Sequence, residues 1–190
     1  FCVIAETRME ARRAVKLARI ATAPSMPVID VDDALVANTT VLPEYAFVRG
    51  DPIVEIPQAP REITGEFRIG GQEHFYLEGQ IALAIPGEDG DMYVHSSTQH
   101  PTEVQHVVAH ALAVHDNAVT VEIRRMGGGF GGKESQATQW AVLAALAARK
   151  TGRPCKLRLD RDDDMIMTGK RHDFRVDYNV GIGKDGVIRA

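Results

Sequence analysis

The stretch that decides the fold is Gly127-Gly128-Gly129-Phe130-Gly131-Gly132, a loop with five glycines in six positions. Residues 119–125 precede it and are rich in β-branched side chains, which predicts a strand. Residues 135–150 follow it and predict a helix, apolar throughout from Trp140 to Ala148 and therefore buried. Glycines let backbone amides approach a ligand, and a helix start adds partial positive charge. The unit is therefore typical of a site for an anion, such as a phosphate-bearing group.

Two readings of this glycine loop (residues 127–132) compete with a specialised cofactor site. Gly127, Gly129 and Gly132 satisfy the G-x-G-x-x-G pattern of nicotinamide-binding Rossmann oxidoreductases, and Asp160 ends the next predicted strand. The separation from Gly132 to Asp160 exceeds the usual spacing of about 20 residues. The second alternative is a tight structural turn that binds no ligand, although five glycines exceed what such a turn needs.

The residues after the loop argue against a nucleotide-triphosphate site. Gly127 to Lys133 begins the P-loop pattern, but Glu134 stands where Ser or Thr would bind magnesium. A carboxylate there repels phosphate. Glu134 either complements the helix dipole or faces a cleft, where it accepts N–H groups of a heterocycle.

The rest of the chain predicts an α+β fold. A capping box at Thr7–Glu10 starts a helix that extends to about Ile20, and Pro101 starts another. The prolines concentrated between residues 24 and 60 predict extended or linker chain. Strands are expected at residues 1–5, 62–69, 75–85, 92–97 and 156–160, with a hairpin formed by residues 174–182 and 187–189.

A second polar cluster lies at Gly70–Glu78, where two glycines precede amide, acidic, imidazole and aromatic side chains. Gln72 can donate and accept hydrogen bonds, which suits an oxo or hydroxo ligand. Glu73 and His74 are acid/base candidates or a satisfied pair that supports a bend. The residues alone leave both alternatives open.

Composition excludes several classes of function. The net charge of −4 argues against nucleic-acid or anionic-membrane partners, and no apolar window is long enough to span a bilayer. Cys2 and Cys155 cannot form a disulfide framework and suit a cytoplasmic protein. His106 and His110 lack the glutamate of a zinc motif and are expected on a solvated face. The acidic run at residues 162–164 is expected to be solvated, or to start a helix or turn.

Three motifs together resemble the molybdenum-binding region of the xanthine dehydrogenases, a family of molybdenum hydroxylases. The motifs are residues 71–78 (GQEHFYLE), 125–134 (RMGGGFGGKE) and 159–172, the last including LDRDDDM and TGKRH. Their order and separations are also similar. The proline-rich composition places a linker at residues 36–58, and the resemblance implies that residues 1–35 end a hammerhead-like α/β domain. Residues 59–190 then form the first part of a molybdopterin-binding domain with a mixed sheet and packed helices.

The resemblance also implies a function and a site. Members oxidise hypoxanthine or xanthine to urate at a molybdopterin-bound molybdenum and pass electrons through 2Fe-2S clusters and FAD to NAD. By position, Gln72 would lie beside the molybdenum as the catalytic candidate, without ligating it. Gly128, Gly129, Phe130 and Gly131 would line the cofactor. Glu134 would hold the purine, because relatives that oxidise aldehydes tend to have an apolar residue there.

The implied site is incomplete in these 190 residues. The family's second substrate anchor, its catalytic base and its FAD and iron–sulfur domains belong to other segments. We therefore expect a fragment of a larger, oligomeric cytoplasmic enzyme, inactive as an isolated chain. The alternatives to this expectation are a Rossmann-type oxidoreductase and a non-catalytic structural fragment.

Overall fold

The computed structural model describes all 190 residues and divides into two compact units. Unit 1 comprises residues 1–22 and 73–171, and unit 2 comprises residues 23–72 and 172–190. Each unit thus draws on two separate stretches of the chain.

The elements alternate irregularly along the chain. Six helices are present: α1 (Arg8–Val15), α2 (Val31–Val36), α3 (Pro52–Glu55), α4 (Pro101–Leu112), α5 (Gln136–Thr151) and α6 (Arg161–Met167). Six strands are present: β1 (Arg61–Ile69), β2 (Ile81–Pro86), β3 (Met92–Ser96), β4 (Val119–Glu122), β5 (Cys155–Arg158) and β6 (Phe174–Ile182).

Unit 1 is built on a four-stranded mixed sheet in the order β4-β3-β2-β5. The β3–β4 pair is parallel, and β2 is antiparallel to both of its neighbours. Alternate residues of β2 and β3 are buried, as expected for strands with one face against a helical layer. The α+β prediction with a mixed sheet and packed helices is confirmed.

Helices α4 and α5 cover one face of this sheet. The core contains small residues from α5 and β2, among them Ala82, Ala84, Ala141 and Ala145, together with valines of α4. Small side chains let α5 approach the sheet closely. Gly152 ends α5 in the left-handed conformation, which glycine adopts without a steric cost.

Unit 2 is organised around a nine-residue antiparallel pair. Strands β1 and β6 pair from Arg61↔Ile182 to Ile69↔Phe174. Asp32, in α2, bonds the guanidinium of Arg68 on β1 at 2.7 Å and that of Arg175 on β6 at 2.9 Å. These two hydrogen bonds hold the pKa of Asp32 below its usual range.

Several predicted elements are wrong or too long. Residues 1–5 form no strand, and α1 ends at Val15 rather than near Ile20. Residues 75–80 are not strand: Tyr76 and Gln80 turn inward to contacts described below, whereas Phe75 and Leu77 are exposed. Strand β6 also pairs with β1, which was not predicted. The predicted hairpin with residues 187–189 is present but short: an antiparallel bridge joins Ile182 to Ile188, and the Gly183 amide donates to the Val187 carbonyl at 2.8 Å.

Other predicted elements are found within one or two residues of their expected ends. The capping box is present, with the Glu10 amide donating to the Thr7 hydroxyl and the Glu10 carboxylate accepting from the Thr7 amide. Helices α4 and α5 and strands β1 and β3 are also present as predicted. The division at residues 35 and 58 stays a prediction. No helix combines the length and apolar composition required to cross a membrane.

Candidate functional site

The glycine loop joins β4 to α5 in unit 1 and holds an unusual backbone conformation. Gly128, Phe130 and Gly131 have positive φ angles of 94°, 53° and 89°. The value at Phe130 is uncommon for a residue with a side chain and needs support from its surroundings. Such support comes from side chains of two segments, residues 76–80 and 97–99.

Glu78 fixes the first end of the loop. Its Oε2 atom accepts the Gly127 amide at 2.7 Å and the Ser97 hydroxyl at 2.7 Å. The Glu78 amide also donates to the Gly127 carbonyl at 3.2 Å. Although desolvation raises the pKa of Glu78, the Gly127 amide, the Ser97 hydroxyl and the Lys133 ammonium together hold it below the usual range.

Lys133 follows the loop and is directed inward. Its side chain is 0% exposed, and its Nζ lies 2.7 Å from Ser97 Oγ and 3.3 Å from Glu78 Oε2. The ammonium also lies 4.7 Å from the centre of the Tyr76 ring, within the range of a cation–π contact. Burial lowers the pKa of Lys133, and Glu78 opposes part of that shift. Lys133 is thus a buried internal cation.

Two glutamines fix the second end of the loop. Gln99 Oε1 accepts the amides of Gly131 at 2.9 Å and Lys133 at 3.2 Å. Gln80 Nε2 donates to the Gly132 carbonyl at 2.9 Å. Both limbs of the loop are therefore held by side chains that are distant in sequence.

The middle of the loop keeps its donors free. The amides of Gly128, Gly129 and Phe130 donate no hydrogen bond within the chain. A Cβ added at Gly129 would lie 2.5 Å from Gln99 Oε1, and one at Gly132 would lie 2.7 Å from the Tyr76 ring. A side chain at either position would displace Gln99 or Tyr76 from the loop. The loop thus presents a row of backbone donors between two anchored ends.

A buried network lies behind the loop. Asp164 is 1% exposed. Its carboxylate accepts hydrogen bonds from the Tyr76 hydroxyl at 2.7 Å and from the main-chain amide of Gln80 at 2.6 Å. Burial and the hydrogen bond to Asp164 raise the pKa of Tyr76 to about 12. The acidic run starts α6 as predicted, but Asp164 is not solvated, because its carboxylate is needed by these inner donors.

The other predicted residues are distributed over both units. Gln72 is exposed and belongs to unit 2, so its predicted place beside the molybdenum stays a prediction. Glu73 pairs with Lys170 at 2.6 Å, and His74 stacks on Tyr76 with 6.4 Å between ring centres. Both residues have structural partners within unit 1.

Glu134 and Phe130 face outward at the loop. The Glu134 side chain is exposed and makes no ion pair or hydrogen bond within the chain. Phe130 is 75% exposed, so it does not plug the core. Both side chains are therefore available to a ligand at the loop surface.

The nucleotide alternatives do not fit this geometry. A dinucleotide fold requires β4 and β5 in a parallel sheet, but they lie at opposite edges and β5 is antiparallel to β2. Asp160 caps α6 by accepting the Asp163 amide at 3.0 Å, and its carboxylate pairs with Arg12. The buried Lys133 cannot act as a P-loop lysine.

His106 and His110 are exposed, as expected, and His106 contacts Asp116 at 2.8 Å. Three residues that hold the loop, Glu78, Gln80 and Gln99, were not predicted as functional from the sequence. The polar run Ser96–Gln99, directly after a buried strand, is a signal that identifies one of these segments.

Known sequences similar to this chain point to a cofactor-binding domain that includes the glycine loop. The family described as molybdopterin cofactor-binding domain matches residues 36–190. Xanthine dehydrogenase/oxidase of Mus musculus is 43% identical over 189 residues, which cover 99% of this chain and 14% of that protein. Aldehyde oxidase 2 of Rattus norvegicus is 40% identical over 190 residues, with the same coverage of 99% and 14%. The chain spans about 14% of the length of these relatives.

Comparison with solved structures supports the fold. Quinoline 2-oxidoreductase from Pseudomonas putida 86 superposes with a TM-score of 0.84 at 21% identity. The match covers 97% of this chain and 24% of that protein. At this identity the similarity concerns the fold alone.

Proposed function

The chain belongs to the molybdopterin cofactor-binding domain family, and from that premise we propose that it is part of a molybdenum hydroxylase that oxidises purines. The observation that carries the proposal is Glu134, an exposed carboxylate without an internal partner, two residues after the glycine loop. The 43% identity to xanthine dehydrogenase/oxidase of Mus musculus supports the same substrate class.

The loop offers donors of the type that the proposed cofactor needs. Gly128, Gly129 and Phe130 offer three unengaged amides, which suit the polar and anionic groups of a molybdenum-bearing pterin. When bound, the cofactor would supply the two-electron oxidation chemistry. The residues of the loop would bind and orient it, and the exposed ring of Phe130 offers an apolar face at the same surface.

Glu134 would then orient the substrate. A purine presents N–H donors at its ring edge, and a carboxylate accepts them, whereas an aldehyde has no such donor. We further propose Gln72 as the residue beside the molybdenum. FAD, 2Fe-2S clusters, NAD as acceptor, an oligomeric state and a cytoplasmic location belong to the same proposal, with the remaining segments of the larger enzyme as partners.

The test uses the complete enzyme purified with its cofactor. Glu134→Gln should lower kcat/KM for hypoxanthine and xanthine by about 10- to 100-fold, the range for one charge-assisted hydrogen bond. Oxidation of a simple aldehyde should change much less. Glu88→Gln, at the exposed turn of residues 88–90, is the matched control.

Two outcomes oppose the purine assignment. Wild-type enzyme with a full complement of molybdenum but turnover of aldehydes only would favour the activity named for the Rattus norvegicus relative. Equal losses of purine and aldehyde oxidation in Glu134→Gln would remove Glu134 from substrate selection. The isolated 190 residues should show no purine turnover, since the proposed base and electron carriers belong to other segments.

A further inference from the structure

The ribbon of β1 and β6 in unit 2 has two faces of opposite character. Residues that are paired directly across an antiparallel ribbon lie on the same face. One face, called the apolar face below, consists of the pairs Ile63↔Val180, Gly65↔Tyr178, Phe67↔Val176 and Ile69↔Phe174. The opposite face, called the charged face, consists of the pairs Glu62↔Gly181, Thr64↔Asn179, Glu66↔Asp177 and Arg68↔Arg175. All charged residues of these pairs therefore lie on one side of the ribbon.

The charged face has its partners within unit 2. Asp32 of α2 accepts hydrogen bonds from the guanidinium groups of Arg68 at 2.7 Å and Arg175 at 2.9 Å. A Cβ added at Gly181 would lie 2.9 Å from the Cβ of Ala59, so the segment before β1 also packs on this side. Elements of unit 2 thus contact the side of the ribbon that is better able to face water.

The apolar face is open by comparison. Six of its side chains are between 37% and 57% exposed, namely Ile63, Phe67, Ile69, Phe174, Val176 and Tyr178. The Tyr178 ring lies over Gly65, where an added Cβ would be 2.7 Å from Tyr178 Cζ, so the glycine leaves no gap. The face is a continuous apolar strip, and a two-stranded ribbon of this kind needs another element packed on it to be stable in water.

The size of the strip argues against a second copy of the chain as the covering element. Nine residues at about 3.4 Å per residue give a length of about 30 Å, and two strands give a width of about 10 Å. The strip therefore offers about 300 Å² to a partner, whereas a stable complex needs about 800 Å² on each side. A segment of the same polypeptide does not pay the entropy of association, so a strip of this size is sufficient for it.

We propose that the apolar face is an internal docking surface, covered in the complete enzyme by an uncharged apolar element of the same polypeptide outside residues 1–190. This rests on the proposed function only in that the chain is part of a larger protein. The chain spans about 14% of the length of its relatives, so a polypeptide of their size has ample chain to supply the element.

The first test is photo-cross-linking in the complete enzyme. A photoreactive benzoylphenylalanine in place of Phe67 keeps an aromatic ring on the apolar face. After irradiation, peptide mapping should find position 67 joined to a residue of the same polypeptide outside residues 1–190. The matched control places the same amino acid at Thr64, three residues away on the charged face, and should not form this product.

The second test introduces a charge on each face in turn. If the face is covered, Phe67→Lys must bury an ammonium group or displace the element, so hydrogen exchange at ladder amides of β1 and β6 should be more than about tenfold faster. Loss of the cross-strand pair with Val176 alone accounts for at most about fivefold. Thr64→Lys, which places the charge between Glu62 and Glu66, should change the exchange rates by less than about threefold.

The outcomes distinguish this inference from the purine assignment. Cross-links confined to residues 1–190, cross-links between two copies, or the absence of any cross-link would each overturn the docking surface. Equal effects of Phe67→Lys and Thr64→Lys on exchange would do the same. An enzyme that forms the expected cross-link but does not oxidise purines would overturn the substrate assignment and support the docking surface.

Discussion

Lys133 and Glu78 form an ion pair whose two partners should respond very differently to neutralisation. The Nζ–Oε2 distance is 3.3 Å, and the side chains are 0% and 38% exposed. In Glu78→Gln the Lys133 ammonium loses its counter-ion, and because its side chain is fully buried it cannot gain water as a replacement. If Lys133→Met removes the ammonium, Glu78 keeps two donors, Gly127 N–H and Ser97 O–H, and part of it stays in solvent.

The Nζ–Oε2 distance sets the size of the electrostatic attraction. Two unit charges at 3.3 Å attract by about 5 kcal/mol at an effective dielectric constant of ~20 and by about 1 kcal/mol in water. The exposure of Glu78 places the pair between these limits, so we expect Glu78→Gln to cost about 2 kcal/mol. Lys133→Met should cost about 0–1 kcal/mol, because it also removes the desolvation penalty of a buried cation.

The lowered pKa of Lys133 also predicts that Lys133→Met is the less destabilising of the two substitutions. Burial lowers the pKa of Lys133, so at neutral pH the charged form is disfavoured in the folded state and its removal relieves that penalty. Native-state hydrogen exchange at amides of α5 and the loop measures the opening free energy locally. The double variant should recover most of the loss seen in Glu78→Gln. A larger loss in Lys133→Met than in Glu78→Gln would refute the reasoning.

Three further predictions concern the same unit. The pKa of Glu78 lies below its usual range, so the stability that Glu78 contributes is present above the unfolded-state pKa and is lost as the pH falls through the folded-state pKa. The protection factors of the loop amides, which compare each exchange rate with the intrinsic rate at the same pH, should therefore fall below about pH 4, and less so in Glu78→Gln. Tyr76→Phe leaves the buried carboxylate of Asp164 one donor short and should cost about 1–3 kcal/mol by local exchange. Ala113 ends α4 with φ 53°, and Ala113→Gly should stabilise that end by about 0.5–1 kcal/mol, seen as slower exchange in its last turn.

The elements predicted most accurately are those with strong local signals. The Pro101 start of α4 and the apolar run of α5 are signals from residues that are neighbours along the chain. Helix α4 begins at Pro101 as predicted, and both ends of α5 lie within one residue of the predicted 135–150. Strand prediction failed at residues 75–80 because alternation alone does not reveal that Tyr76 and Gln80 turn inward to a distant carboxylate. Asp164 was predicted to lie in a solvated acidic run because its hydrogen-bond donors, Tyr76 and Gln80, are distant in sequence.

The glycine loop shows why local sequence predicts where a site lies better than how it is held. Five glycines make a conformation with positive φ angles accessible, but they also make many other conformations accessible in the unfolded chain. The single conformation is selected by Glu78, Gln80 and Gln99, which come from sequence positions 32 to 52 residues away from their loop partners. Because these side chains hold only the two ends of the loop, the central amides are left without internal partners. A loop held only by its own residues would have used those amides for its own turns, and it would offer a cofactor fewer donors.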